Sequence, residues 1–133
     1  MAAVSHLDAV VVLTTLAAGT DAVALARTLV AERLAACVNL FPVMTSVYRW
    51  EGRVEEDEER QLVIKTAEGR VTALAARLRT LHPYAVPELL VIRASDGSDE
   101  YLRWIRDSVA LGEQASLEEP QNEKATEQED KKQ

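Results

Sequence analysis

The order of hydrophobic patterns along this chain predicts an α+β fold of the β-α-β-β-α-β type, followed by one more helix. Three observations support the prediction: strand-sized apolar segments near both ends, two stretches with apolar residues at helical spacing, and a long β-favouring region between them. The chain has 133 residues, 47% of them hydrophobic, which suits one compact domain. We expect that domain to span residues 8–112.

The first part of the domain is predicted to be a buried strand followed by a helix. Residues 8–15 include five consecutive apolar residues, which is typical of a strand covered on both faces. Gly19 interrupts the chain, and Thr20 is suited to cap a helix that ends near Leu34. The apolar residues of this helix follow helical spacing: Ala22, Leu25, Ala26, Leu29 and Val30.

The middle of the chain predicts a long β-hairpin. Residues 37–50 favour β-structure, and Pro42 marks a bulge or a strand edge because proline cannot donate to the ladder. Glu51 and Gly52 turn the chain, and residues 53–66 return as the partner strand. Each arm has about a dozen residues, roughly twice the length of a typical strand.

The last part predicts a helix, a short strand and a final helix. The second helix buries Val71, Leu74, Leu78 and Leu81 and ends at His82, because the residue before a proline leaves helical geometry. Residues 89–92 form an apolar strand, and Ser98 caps the final helix. The whole order is the split βαβ arrangement of ferredoxin-like folds. Its helices cover one sheet face, so we expect a second copy of the chain to cover the other face and the overhanging hairpin.

Charge and composition argue against several classes of protein. The net charge is −7, and residues 113–133 carry seven acidic residues and three lysines, so we expect a disordered acidic tail there. The remaining part has no basic stripe, which argues against nucleic-acid binding. No apolar stretch approaches the about 18 residues that cross a membrane, and residues 1–7, predicted to be flexible, show no signal-peptide pattern. With Cys37 as the single cysteine, we expect a cytoplasmic protein.

Familiar catalytic motifs are absent, so the sequence favours a binding protein over an enzyme. Cys37 is either a soft metal ligand or a buried small apolar residue. His82 and Glu88 are held in a segment with two prolines, which would fix an imidazole and a carboxylate as ligands. Their structural alternatives are a helix-end histidine and a solvated strand end. An enzymatic alternative would use His82 as a general base oriented by Glu88, but no nucleophile accompanies them.

The hairpin carries two further candidate groups. The acidic run at 55–59 places residues 55, 57 and 59 on one strand face, where they either hold a hard cation weakly or prevent sheet-to-sheet aggregation. Tyr48 and Trp50 alternate with Arg49, which suits a subunit contact or the wall of a cleft.

Five separated motifs, in this order, resemble the divalent-cation-tolerance family known as CutA. They are LVAERLAACVN at 29–39, SVYRWEG at 46–52, VIKT at 63–66, HPYAVPE at 82–88 and YLRWI at 101–105. The resemblance implies a ferredoxin-like subunit in a homotrimer, similar in shape to PII signalling trimers. The long hairpins of such a trimer exchange sheet contacts between neighbouring subunits. It also implies binding of copper, zinc or another divalent metal. The implied metal ligands are Cys37, His82 and Glu88, with neighbouring cleft residues Tyr48, Trp50, Glu59, Lys65 and Tyr84.

Two functions follow as hypotheses. The first is a trimeric, copper-binding protein of cation tolerance, since mixed nitrogen, oxygen and sulfur donors suit copper or zinc better than magnesium. The alternative is a PII-like sensor that binds a small anionic metabolite between subunits, with Lys65 and Arg49 as its charge partners, and signals to an unknown protein partner.

Overall fold

The computed structural model describes residues 8–82 and 87–112. The predicted flexible N-terminus at 1–7, the predicted acidic tail at 113–133 and the site candidate Tyr84 all lie outside these residues. The elements, in chain order, are β1 (Ala9–Ala17), α1 (Ala22–Ala31), β2 (Cys37–Leu40), β3 (Met44–Trp50), β4 (Arg53–Ala67), a 3₁₀ turn (Glu68–Arg70), α2 (Val71–Leu81), β5 (Leu90–Arg93) and α3 (Asp99–Ser108).

The five strands form one antiparallel sheet with the spatial order of a ferredoxin-like fold. β1 lies in the centre, with β5 on one side and β4 on the other, and both β2 and β3 pair with the far edge of β4. The two strands of each β-α-β unit are not neighbours in the sheet. β4 lies between β1 and β2 of the first unit, and β1 lies between β4 and β5 of the second. The predicted α+β, ferredoxin-like fold with an added C-terminal helix is therefore confirmed.

The long hairpin has a one-residue bulge at Pro42. Cys37 pairs with Lys65 before the break and Met44 pairs with Glu59 after it. Three residues, 41–43, therefore lie opposite the two residues 60 and 61 of β4, which is the count of a bulge. Glu51 and Gly52 form the predicted turn, with φ of 49° and 80°, as a two-residue hairpin loop requires.

The core lies between the sheet and the first two helices. Alternate residues of β1 and β4 face these helices, and Leu16, Leu62 and Ile64 are fully buried there against Leu29 of α1 and Leu74 of α2. α3 packs on the opposite sheet face but covers only one end, through a smaller cluster formed by Ala9, Ala36, Leu102, Ile105 and Val109.

Several predicted boundaries were wrong by a few residues. Asp21, not Thr20, caps α1, because its carboxylate accepts the Ala24 amide at 3.0 Å. α1 ends at Ala31, before Leu34, since Arg33 adopts a left-handed conformation with φ of 59°. Two helix ends agree with prediction: α2 ends at Leu81, and Ser98 caps α3 by accepting the Tyr101 amide.

The sheet face opposite α1 and α2 stays open beyond α3. On β5, Leu90 is 57% and Ile92 is 51% exposed, and the outer edge of this strand pairs with no other described strand. Val47 and Val54 near the hairpin tip are also exposed. Among residues 8–82 and 87–112, no helix has the length and apolar content to cross a membrane.

Candidate functional site

A cavity of about 690 Å³ lies where the hairpin meets the segment before β5. It is lined by residues of β1, β3, β4 and that segment: Thr15, Met44, Ser46, Val47, Tyr48, Trp50, Asp57, Glu59, Gln61, Pro87 and Glu88. Met44, Ser46, Tyr48 and Trp50 alternate along β3 and share the open sheet face with Gln61. The bulge at Pro42 sets this register, because it shifts β3 by one residue relative to β2.

Three residues cross the floor of the cavity in one row. Thr15 pairs with Gln61 on β4, and extending the β1–β5 register by two residues beyond Leu13 and Leu90 places Glu88 on the other side of Thr15. Gln61 reaches over this row: its Nε2 donates to Glu88 Oε2 at 2.9 Å and to the Thr14 carbonyl at 2.7 Å. Gln61 therefore fixes the position of the Glu88 carboxylate.

The acidic run contributes two more carboxylates. Asp57 and Glu59 face the cavity, as the predicted alternation of 55, 57 and 59 requires, and Glu59 is only 9% exposed. The Tyr48 hydroxyl donates a hydrogen bond to Asp57 Oδ2. That bond, together with desolvation and the negative charges of nearby carboxylates, raises the pKa of Tyr48 to about 12.

His82 lies directly behind this row. It is 8% exposed, and its Nε2 lies 2.5 Å from the carbonyl oxygen of Thr15. A carbonyl oxygen only accepts, so Nε2 carries a proton and donates it. The ring thereby satisfies a buried carbonyl beyond the last β1–β5 pair, and this nitrogen is not available to a metal ion in this arrangement.

The remaining candidates lie farther along the sheet. Cys37 is opposite Lys65 on β4, four residues from Gln61, or roughly 13 Å at the rise of a β-strand. The Lys65 ammonium lies 5.8 Å from the centroid of the Tyr101 ring, which stacks on Trp104 at 5.5 Å. Neither Cys37 nor Lys65 lines the cavity.

The predicted metal ligands therefore do not lie close together at a single site. Glu88, Glu59, Tyr48 and Trp50 share the cavity, His82 contacts its floor from behind, and Cys37 is distant. In the part of the chain that the structure describes, no group of three or more His, Cys, Asp and Glu side chains is placed to hold a metal ion. The residues present do not, by themselves, fit a resident metal centre.

Sequence reasoning missed Thr15 and Gln61, which organise the site. Gln61 had a detectable signal, because it is a polar residue between the acidic run and the apolar residues that follow it on β4. Its strand parity with Glu59 would have placed it on the same face. Thr15 gave no such signal, since it lies within β1, whose residues are mostly apolar.

Fold and cavity together define an α+β, ferredoxin-like protein with an acidic, aromatic-walled cavity on its open sheet face. The family model described as CutA1 divalent ion tolerance protein matches residues 10–108. The chain belongs to this family.

Relatives and solved structures agree with this assignment. The divalent-cation tolerance protein CutA of Thermus thermophilus is 46% identical over 98 residues, covering 74% of this chain and 95% of that protein. Human Protein CutA is also 46% identical over 82 residues, covering 62% of this chain, which spans 46% of the human protein's length. The crystal structure of CutA1 from Oryza sativa superposes with a TM-score of 0.76 at 36% identity, covering 81% of this chain and 99% of that one.

Proposed function

We propose that this chain acts in tolerance of divalent cations by binding such ions, copper among them, as a cytoplasmic homotrimer and without catalysing a reaction. Family membership supports the general role. The observation that carries the binding proposal is the charge of the cavity, where the carboxylates of Asp57, Glu59 and Glu88 attract cations without forming a complete metal site in one chain. No Lys, Arg or His belongs to the described lining, so the cavity attracts cations.

The same lining weighs against the anionic-metabolite alternative. Arg49 pairs with Val54 and so lies on the hairpin face opposite Tyr48 and Trp50. The Lys65 ammonium lies over the Tyr101 ring, outside the cavity. An anion entering the cavity would meet three carboxylates without either predicted charge partner.

Copper binding requires more ligands than a single chain provides in this arrangement. Copper prefers nitrogen and sulfur donors, whereas the described lining of the cavity offers mainly oxygen, with the Met44 thioether as its sulfur. His82 would join the ligands either through Nδ1 or after Nε2 releases the Thr15 carbonyl, and Cys37 would have to come from another copy. The proposed site is therefore completed on assembly, with Glu88 as the ligand that this chain already holds in place.

Exposed apolar residues support the homotrimer. Leu90 and Ile92 on β5, Val47 on β3 and Val54 on β4 are each more than half exposed. They lie on an open sheet edge and an overhanging hairpin, which a closed assembly would cover. Ultracentrifugation at micromolar concentration should give three times the chain mass, and a stable monomer would refute the assembly.

Calorimetric titration of the full-length chain with Cu²⁺ tests the ion binding. We expect Glu88→Gln and His82→Ala each to weaken the binding of Cu²⁺ by more than about tenfold. A tenfold loss of metal affinity is about the smallest typical effect of removing a group that orients a metal ligand. Glu58→Gln is the matched control, because Glu58 carries the same charge on the other face of β4. Unchanged affinity in both site variants would overturn the assignment.

A further inference from the structure

The cavity has features that a metal ion does not use, and we propose that it binds an organic polycation, an aliphatic diamine or polyamine. In this arrangement the ammonium groups contact the carboxylates and the methylene chain lies along the aromatic wall. The inference goes beyond tolerance of metal cations. It stands or falls separately, because it requires neither Cys37 nor His82.

The first argument is size. Water occupies about 30 Å³ per molecule in the liquid, so even a divalent ion with six waters fills roughly 200 Å³. The cavity measures about 690 Å³, within the range of pockets that hold small organic molecules. A single hydrated ion would leave most of it to bulk water.

The second argument is the chemistry of the wall. Tyr48 and Trp50 present aromatic rings to the cavity, and Met44 adds apolar surface on the same face of β3. Aromatic faces attract organic ammonium groups through their quadrupole, and a thioether adapts to flexible alkyl chains. A metal ion that keeps its water shell makes little direct contact with either kind of surface.

The third argument is the spacing of the carboxylates. Glu88 is held by Gln61, and Asp57 accepts the Tyr48 hydroxyl, so two of the carboxylates that line the cavity have fixed orientations. Asp57 lies four residues along β4 from Gln61, roughly 13 Å of strand. One metal ion, with ligands at about 2.0–2.6 Å, would not contact both, whereas two ammonium groups joined by a methylene chain would. Glu59, nine-tenths buried, lies between them on the same strand face.

Spermidine is the probe that tests this inference. 1,8-Octanediol, which has a methylene chain but no charge, is the control ligand. In a Trp104→Phe background Trp50 is the only tryptophan, so its fluorescence reports on the cavity. We expect saturable binding of spermidine to the full-length chain and none of the diol. Glu88→Gln and Trp50→Leu should each weaken the binding of spermidine by about tenfold. Calorimetry measures the affinity of Trp50→Leu, because this variant lacks the fluorescent reporter.

Glu58→Gln controls for net charge and should keep the affinity within about twofold, since Glu58 lies on the other face of β4. Equal losses in Glu58→Gln and Glu88→Gln would overturn the inference by showing attraction to the acidic chain as a whole. Binding of the diol as tight as that of spermidine, or no change in Trp50 fluorescence, would overturn it too. Thermal unfolding of each variant confirms that a loss of binding is not a loss of fold.

Discussion

Gln61 is predicted to hold Glu88 by an interaction that a double-mutant cycle can isolate. The cycle comprises Gln61→Ala, Glu88→Ala and the double variant. The Gln61 side chain makes two short hydrogen bonds, one to the Glu88 carboxylate and one to the Thr14 carbonyl, and a longer one of 3.5 Å to the Leu62 carbonyl. Each single variant therefore removes the shared bond, and only Gln61→Ala also removes the bond to β1.

The magnitude follows from the two bonds. A hydrogen bond to a charged group contributes about 1.5–3 kcal/mol when well shielded, and this pair is only partly buried, so we expect a coupling of about 1 kcal/mol. The bond to Thr14 adds about 1 kcal/mol, which gives about 2 kcal/mol for Gln61→Ala. Glu88→Ala should cost about half as much.

Urea unfolding at neutral pH and one fixed protein concentration measures these values, since assembly makes apparent stability depend on concentration. Glu58→Ala combined with Gln61→Ala is the control cycle and should be additive within about 0.5 kcal/mol. A Gln61–Glu88 coupling no larger than this control would show that Glu88 is not held in place, and the geometry argued for the cavity would fail.

Two further predictions concern the hairpin and the core. Asp57→Asn should lower the pKa of Tyr48 from about 12 towards its ordinary value of 10.0, as followed by tyrosinate absorbance, because it removes the charge on the hydrogen-bond acceptor. Since the folded-state pKa of Tyr48 is raised, the contribution of Tyr48 to stability is complete below pH 10 and is lost as the pH rises towards 12. A pKa near 10 for Tyr48 in the wild-type protein would contradict this. Leu74→Ala should cost about 3 kcal/mol in urea unfolding, because Leu74 is fully buried between α2 and the sheet, and a loss below about 1 kcal/mol would show that the core collapses around the gap.

Most of the fold could be predicted because each element carries a local signal. The helical spacing on α2 and the serine before α3 identify those helices without tertiary information. Pro42 even marks the bulge, since its missing N–H has the same consequence in any sheet. The end of α1 could not be predicted, because no propensity distinguishes Arg33 in a left-handed conformation from Arg33 in another helical turn.

The site was less predictable because it depends on register between distant strands. Gln61 and Glu88 are neighbours only because Thr15 pairs with one and aligns with the other, and periodicity within a strand does not give that alignment. His82 shows the converse difficulty. Its place at the helix end was clear from the following proline, but its acceptor is a carbonyl on a strand 67 residues away in sequence.

Glu88 connects the binding cavity to the surface proposed for assembly. It lies two residues before β5, the edge strand on which Leu90 and Ile92 are exposed, and its carboxylate is held across β1 by Gln61. A copy that covers β5 restricts the backbone leading from Glu88, and a cation bound to Glu88 restricts the start of β5. Each event would lower the conformational entropy that the other must lose, so by linkage we expect binding to strengthen assembly by the same free energy with which assembly strengthens binding.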